Sequence, residues 1–419
     1  MAFGSATAAI AATFARPRVL KRLDAAERKE GDNMEIFETT LRDGEQQAFL
    51  HFTARQKGDL AVLLEQLGVD VIDAGFPAAS AVDMDGVMQI ADRTDTVKLS
   101  VLSRPIKKDI KRAFEALKGA EHRSRIATSA RPFDLLSSSA GWAGRAYSKT
   151  IDRSCDLMSE ARSYFPEAQY YLICAGNRDP SFLMDLSASA AYAGATNIVV
   201  ADTLSTMEPN GFAKLVGRIK AALPPGTTLG VHCHNLLGLS LANSITGIRA
   251  GATQAEVTIG NTGDGGGNTA LEQLLAYAAY FEADDPRFAN GCKTQMMAEV
   301  VQAFKEHTGM QFSPNKPLVG DISFLVETGI HQSIPAEIMQ DVFSPETIGR
   351  RAEIVIGRHS GIAGILDQLD RMNLHPANVD RQLLYQHVMR AAQKNGSVPN
   401  RELGQIAKSL ITETNLERP

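Results

Sequence analysis

From Met34 to about residue 290, short runs rich in β-branched and aromatic residues alternate with longer stretches whose apolar positions recur near every 3.6 residues. The runs read EIFETTLRD, VDVIDAGFP, TVKLSVLS, RSRIATS, QYYLICA, TNIVVADT, TLGVHCHN and QAEVTIGN, separated by segments such as ARQKGDLAVLLEQLG and LANSITGIRAGA. Strands alternating with helices imply βαβ units and a parallel sheet, and about eight such units close a (β/α)8 TIM barrel. The alternative is an open doubly wound sheet, whose usual mark is a G-x-G-x-x-G turn after the first strand. Here that strand runs into Arg42-Asp43-Gly44-Glu45, so an α/β barrel is expected.

After Phe281 the pattern changes. ADDPRFANGCK reads as a break, a helix-forming stretch leads into Pro- and Gly-punctuated sequence, and the tail from about Gly357 is again helical. The expected organisation is a catalytic barrel over 34–290, a linker subdomain over 291–355 and a small helical subdomain over 356–419. Residues 1–33 are rich in Ala and Arg and poor in acid at their start. That composition suits a transit peptide, but a disordered or non-native extension before Met34 is the preferred reading. With 43 basic and 48 acidic residues intermixed, nothing resembles a nucleic-acid surface. The four cysteines are scattered without a C-x-x-C pair, which fits a reducing compartment. No apolar run approaches the roughly 20 residues that cross a bilayer. A soluble cytoplasmic protein with small-molecule partners is expected.

The strongest chemical signal is Val231-His232-Cys233-His234-Asn235. On a strand, residues i and i+2 point to one side, so both imidazoles would face one point at the carboxyl end of the seventh strand, where barrel enzymes place their sites. Two such nitrogens suit a first-row divalent cation; a pair of satisfied core histidines is the competing reading. Asp43, just past the first strand, would converge on them once the barrel closes, giving a 2-His-1-carboxylate set with open positions. Arg42 either hydrogen-bonds a developing oxyanion or forms a salt bridge across the mouth. Glu45 either reaches the site or caps the following turn. The glycine-rich Gly260–Asn268 stretch admits close backbone approach to a ligand, and Asn268 is a candidate oxygen ligand. Thr203 either binds a substrate carboxylate or caps a helix. Ser80, Thr128 and Arg104 are weaker candidates near strand ends.

Together ETTLRDGEQ (38–46), AGFPAAS (74–80), IATS (126–129), ADT (201–203), VHCHNLLGLSLANS (231–244), GGN (266–268), NKPLVG (315–320), ETGIHQ (327–332) and VIGRHSG (355–361) resemble the DRE-TIM metallolyase family. The resemblance is to its Claisen-condensing branch, the 2-isopropylmalate, homocitrate and citramalate synthases. It implies an acyltransferase that condenses acetyl-CoA, as cosubstrate, with a small 2-oxo acid. A divalent cation (Mg, Mn or Zn) would be bound by Asp43, His232 and His234, with Asn268 as a further ligand. Arg42 would polarise the 2-oxo group, Thr203 would hold the substrate carboxylate, and His331 would assist acid–base steps from the linker, in a homodimer. Alternatives are a lyase or aldolase on the same barrel, or a catalytically silent binding paralogue.

Several positions depart from the family pattern. Ile173-Cys174 replaces a Glu-Asp pair, so a supporting carboxylate is expected to be missing. Gln340 stands for a tyrosine, Asp264-Gly265 for Glu-Arg, and Val326 for a histidine. Gln47-Ala48-Phe49 replaces Ser-Pro-Gly, which suggests that Phe49 and Gln47 line the pocket. The expected 2-oxo acid is then not 2-oxoisovalerate but one that is smaller or bears a polar end met by Gln47, His51 or Arg104.

Overall fold

The computed structural model describes residues 33–130, 145–326, 343–374 and 380–416. Eight parallel strands close in sequence order into a barrel: β1 (Glu35–Glu38), β2 (Val71–Gly75), β3 (Lys98–Leu102), β4 (Ser124–Ser129), β5 (Glu167–Leu172), β6 (Asn197–Asp202), β7 (Thr228–Cys233) and β8 (Gln254–Val257). Each of the eight runs read from the sequence supplies one strand. The barrel closes through β1 and β8, in register from Glu35 opposite Gln254 to Glu38 opposite Val257. That closure carries the turn after β1 to the ends of β7 and β8.

Among the described residues, eight α-helices follow the strands: α1 (Ala54–Leu67), α2 (Ala81–Arg93), α3 (Lys107–Ala116), α4 (Arg145–Tyr164), α5 (Pro180–Tyr192), α6 (Pro209–Ala222), α7 (Ser240–Arg249) and α8 (Leu271–Phe281). Their ends are written locally. Thr53 and Gln56 form a reciprocal capping box at α1, and Gly68, at φ 93°, ends it in the left-handed conformation that glycine adopts without a Cβ penalty. Asp179 and Glu208 cap α5 and α6, each followed by a proline that needs no N–H there. The strands β2 and β6 are buried on both faces, as a helix-covered parallel sheet requires.

The interior is more polar than a layered aliphatic barrel core. Near the amino ends of the strands, Arg125 is only 3% exposed and meets Glu35 at 2.8 Å, Glu167 at 2.6 Å and Gln254 at 2.7 Å. A charge so buried is tolerable only when paired on all sides. This charged layer lies at the amino end of the barrel, opposite the carboxyl-end mouth.

Among the described residues one compact unit ends at Ser313 and another begins at Pro314. The helix Met297–Thr308, placed in the linker by the sequence reading, packs on α1: Phe304 meets Phe52 edge-on at 6.0 Å, and Gln56 Nε2 donates to His307 O at 2.7 Å. In the second unit, the helices Ile362–Arg371, Arg381–Asn395 and Asn400–Leu416 are amphipathic. Ile365, Leu369, Leu384, Val388, Leu403 and Ala407 form a core there that isolated helices of this length could not replace. No helix among the described residues is long and apolar enough to cross a membrane.

Candidate metal centre at the barrel mouth

His232 lies inside the end of β7 and His234 just beyond it, so the two-residue period aims both rings into the mouth. Their Nε2 atoms are 3.0 Å apart. After β1 the chain turns back on itself: Gly44 N donates to Thr39 O at 2.9 Å, and Asp43 N reaches Thr39 Oγ1 at 3.4 Å. The turn delivers Asp43 Oδ2 to 3.4 Å from His234 Nε2 and 3.6 Å from His232 Nε2. All three side chains are buried and form a group able to hold a metal ion. Around one first-row ion with bonds of about 2.1 Å, donor atoms stand roughly 3.0 Å apart at right angles and about 3.4 Å apart in a tetrahedron. The observed separations lie close to that range.

Asn268 reaches the same point. Its Nδ2 donates to Asp43 Oδ2 at 2.7 Å, while its buried Oδ1 has no partner, an acceptor left over for a cation. The glycine loop makes this approach sterically possible. Gly265 lies where a Cβ would stand 3.0 Å from His234 Nδ1, and a Cβ on Gly267, at φ 87°, would fall 1.6 Å from Asn261 O. Only glycine lets backbone lie so close to the ring and to itself.

A second set of polar groups surrounds the triad. Arg42 donates from Nε to Asp73 Oδ2 at 2.6 Å, from Nη1 to Asp43 Oδ1 at 2.8 Å and from Nη2 to the Tyr171 hydroxyl at 3.4 Å. Thr39 Oγ1 also donates to Asp73, at 2.9 Å. Glu256, on β8 and fully buried, accepts from Tyr171 at 2.9 Å and from Gln169 at 2.9 Å, and faces His232 Nδ1 at 2.8 Å. Burial alone would raise the Asp43 carboxyl, but the Arg42 guanidinium and the two imidazoles outweigh it and hold it well below the usual carboxylate range. Burial lowers His232, and the hydrogen bond and charge of Glu256 more than reverse this, leaving it raised. Burial and the neighbouring Glu256 push the Tyr171 phenol well above its ordinary value.

The structure thus brings Arg42, Asp43, His232, His234 and Asn268 together. Thr203 follows β6, and its Oγ1 accepts from Cys174 N at 3.1 Å, leaving the hydroxyl proton to donate elsewhere. Gln47 stands at the edge of the glycine loop, its Oε1 accepting from Gly263 N at 3.4 Å.

Several expectations are corrected. Both Glu45 oxygens are engaged away from the site, by Lys57 Nζ at 2.5 Å and Phe52 N at 2.8 Å, so Glu45 neutralises a buried lysine and caps the turn. Phe49 is 104% exposed, at φ 68°, while Leu50 and Phe52 take the buried positions, so its ring occupies no pocket. Arg104 is turned outward onto Asp109 at 2.6 Å and His51 is exposed, so neither is placed to meet a polar substrate end. Ser80 caps α2 through Asp83 N at 3.0 Å. Thr128 is buried with its hydroxyl unpartnered. His331 and Gln340 lie outside the described residues.

Ile173-Cys174 offers no carboxylate, and the carboxylates that contact the group from other strands are Asp73 on β2 and Glu256 on β8. Asp73, Tyr171 and Glu256 are not among the residues singled out from the sequence. For Tyr171 and Glu256 the signal was parity: Gln169 and Tyr171, like Gln254 and Glu256, are two apart and share the inward face of a strand, whereas Asp73 has no such partner.

Residues 33–303 match the HMGL-like family. The chain is 32% identical over 384 residues to a 2-isopropylmalate synthase of Haemophilus influenzae, covering 90% of this chain and 73% of that one. It is 35% identical over 387 residues to the 2-isopropylmalate synthase of Salinibacter ruber, covering 90% and 70%. It is also 36% identical over 318 residues to 2-isopropylmalate synthase 1 of Caldanaerobacter subterraneus, covering 75% and 79%. Among solved structures, the hydroxymethylglutaryl-CoA lyase of Pseudomonas aeruginosa superimposes with a TM-score of 0.55 at 18% identity, over 67% of this chain and 94% of that one. The HMG-CoA lyase of Bacillus subtilis gives 0.53 at 18% identity, over 66% and 94%. These two likenesses speak to the barrel alone. With nearly two thirds of its length matched and its eight-stranded barrel observed, the chain belongs to the HMGL-like family.

Proposed function

We propose that the protein is a metal-dependent synthase that condenses an acyl-CoA, acetyl-CoA in the first instance, with a small 2-oxo acid and releases CoA. The observation that carries this reading is the convergence of Asp43, His232 and His234 beside the Arg42 guanidinium at the barrel mouth. The relatives named 2-isopropylmalate synthase support it. A divalent cation held by the triad, with Asn268 as a further oxygen ligand, would supply Lewis acidity toward the 2-oxo group.

The chain's own residues supply the rest. Arg42 commits three of its five N–H groups to Asp73, Asp43 and Tyr171, which fixes the fork and leaves two donors for an oxyanion. Thr203 donates its free hydroxyl proton to the substrate carboxylate. The acyl methyl carbon loses a proton and adds to the 2-oxo carbon, whose oxygen takes up a proton. Water then cleaves the thioester to a carboxylate and the CoA thiol.

With Phe49 turned outward, the steric case against 2-oxoisovalerate lapses. Leu102 and Ile173, at the carboxyl ends of β3 and β5, pack on Ala127, Tyr171 and Val199. This apolar shelf favours a 2-oxo acid with an apolar substituent. The test is thiol release from acetyl-CoA across pyruvate, 2-oxobutanoate, 2-oxoisovalerate, oxaloacetate, 2-oxoglutarate and phosphonopyruvate. Release that requires both substrates and is fastest with an apolar one is expected; release independent of the 2-oxo acid, or none across the panel, overturns the reading.

A further inference from the structure

The triad explains where a cation would sit but not why His232 presents a lone pair to it. A neutral imidazole carries its proton on one nitrogen, and only the other can act as a ligand. His232 Nδ1 lies 2.8 Å from Glu256 Oε2, and its Nε2 faces Asp43 and His234. Around Glu256 the other hydrogen-bonding neighbours present donors: Gln169 Nε2 at 2.9 Å, Gln254 Nε2 at 3.2 Å and the Tyr171 hydroxyl at 2.9 Å. Its oxygens therefore meet His232 as acceptors, which assigns the imidazole proton to Nδ1.

The same carboxylate communicates with the opposite wall. The Tyr171 hydroxyl has one proton, directed between the two Glu256 oxygens, each 2.9 Å away. Its lone pairs are left to accept from Arg42 Nη2 at 3.4 Å. The ring stands edge-on to His232, with centroids 6.1 Å apart and planes at 79°, so it also bounds the tilt of the imidazole. Arg42 is gripped from the far side by Asp73. A continuous line of hydrogen bonds thus runs from a candidate metal ligand through Glu256 and Tyr171 to the guanidinium proposed to meet the substrate oxygen. All its members are buried or nearly so, where low dielectric makes each hydrogen bond count for more than it would in water.

We propose that Glu256 and Tyr171 are the positioning pair of this site: Glu256 holds His232 in the tautomer that aims Nε2 at the cation, and the Tyr171 hydroxyl sets Arg42 relative to that ligand. The inference rests on the metal reading above. Glu256 acts through His232 and the Tyr171 hydroxyl through Arg42. Outer partners of metal-bound histidines typically matter 10–100-fold in affinity or activity. The Glu256→Gln variant replaces one acceptor oxygen by an NH2 group. Turned toward His232, that group reverses the tautomer; turned away, it faces the donors of Gln169, Gln254 or Tyr171.

The experiment is calorimetric titration of the metal-stripped full chain with Zn2+ alone, for wild type, Glu256→Gln and Tyr171→Phe. It is paired with histidine-selective 15N spectra of the wild type at alkaline pH, with His232→Gln used to assign the signal. We expect Glu256→Gln to bind zinc about 10–100-fold more weakly. Tyr171→Phe keeps the ring in place and should lose roughly 10-fold or less in zinc affinity, with kcat falling and the KM for the 2-oxo acid nearly unchanged. The wild-type His232 signal should report a proton on Nδ1. Zinc binding by Glu256→Gln within about twofold of wild type, or a His232 proton on Nε2, overturns the proposal. Failure of the metal reading looks different: wild type itself then binds no zinc, while the 15N spectrum still decides the tautomer.

Discussion

Glu38, on β1 beneath the site, is fully buried and its carboxyl is pushed up to about 8. Burial is the main cause and the nearby Asp73 adds to it, against hydrogen bonds from Thr40 N at 3.1 Å and from the Thr40 hydroxyl. In the unfolded chain the group returns to about 4.5. The native state therefore holds this proton where the unfolded state has lost it, and the group's contribution to stability falls as pH rises from about 4.5 toward 8. Glu38→Gln mimics the protonated form and does not titrate. Each pH unit between the two values is worth at most about 1.4 kcal/mol, so from pH 6 to pH 8 the variant should gain roughly 2 kcal/mol on wild type. For a domain of this size that is about 5 °C in the relative unfolding midpoint. Thermal unfolding followed by circular dichroism across this pH range measures it, and comparison with wild type cancels the other titrating groups. A difference that stays flat, or shrinks as pH rises, refutes the reasoning.

Arg42→Lys should lower kcat/KM by about 100-fold or more, because a point charge cannot bridge Asp43 and Asp73 while facing a substrate oxygen; steady-state thiol release checks this. Gly267→Ala should cost about 3 kcal/mol or more, since its Cβ would stand 1.6 Å from Asn261 O at a positive φ; the unfolding midpoint should drop by several degrees. Phe49→Ala should leave the KM for every 2-oxo acid within about twofold, the ring being fully exposed; a larger change would place Phe49 at the substrate after all.

What could be read from the sequence follows from periodicity. The eight strands were visible because a parallel barrel strand is buried on both faces and concentrates β-branched residues, as in NIVVAD. His232 and His234 were legible because two residues on a strand share a face, and Asp43 because a closed barrel returns β1 to β8. Loops carry no such period. The positive φ at Phe49, which turns that residue outward, has no mark in the letters Gln-Ala-Phe. Glu45 is claimed by Lys57, a lysine buried on a helix whose spacing alone suggested an ordinary amphipathic face. Asp73 has no polar partner two residues away on β2, and the polar pairs that mark Tyr171 and Glu256 do not by themselves point to one site. Their common purpose emerges only when β2, β5 and β8 are brought around one axis.

On the proposed function, one cation is held by Asp43, His232 and His234, and the chemistry depends on it. Metal content by elemental analysis of the full chain loaded with zinc or manganese, in wild type and His234→Ala, tests this most directly when thiol release is followed on the same samples. Wild type should carry about one ion per chain, and the variant should lose both metal and activity with its circular dichroism spectrum unchanged. A His234→Ala protein that keeps its metal, or that keeps its activity without one, contradicts it.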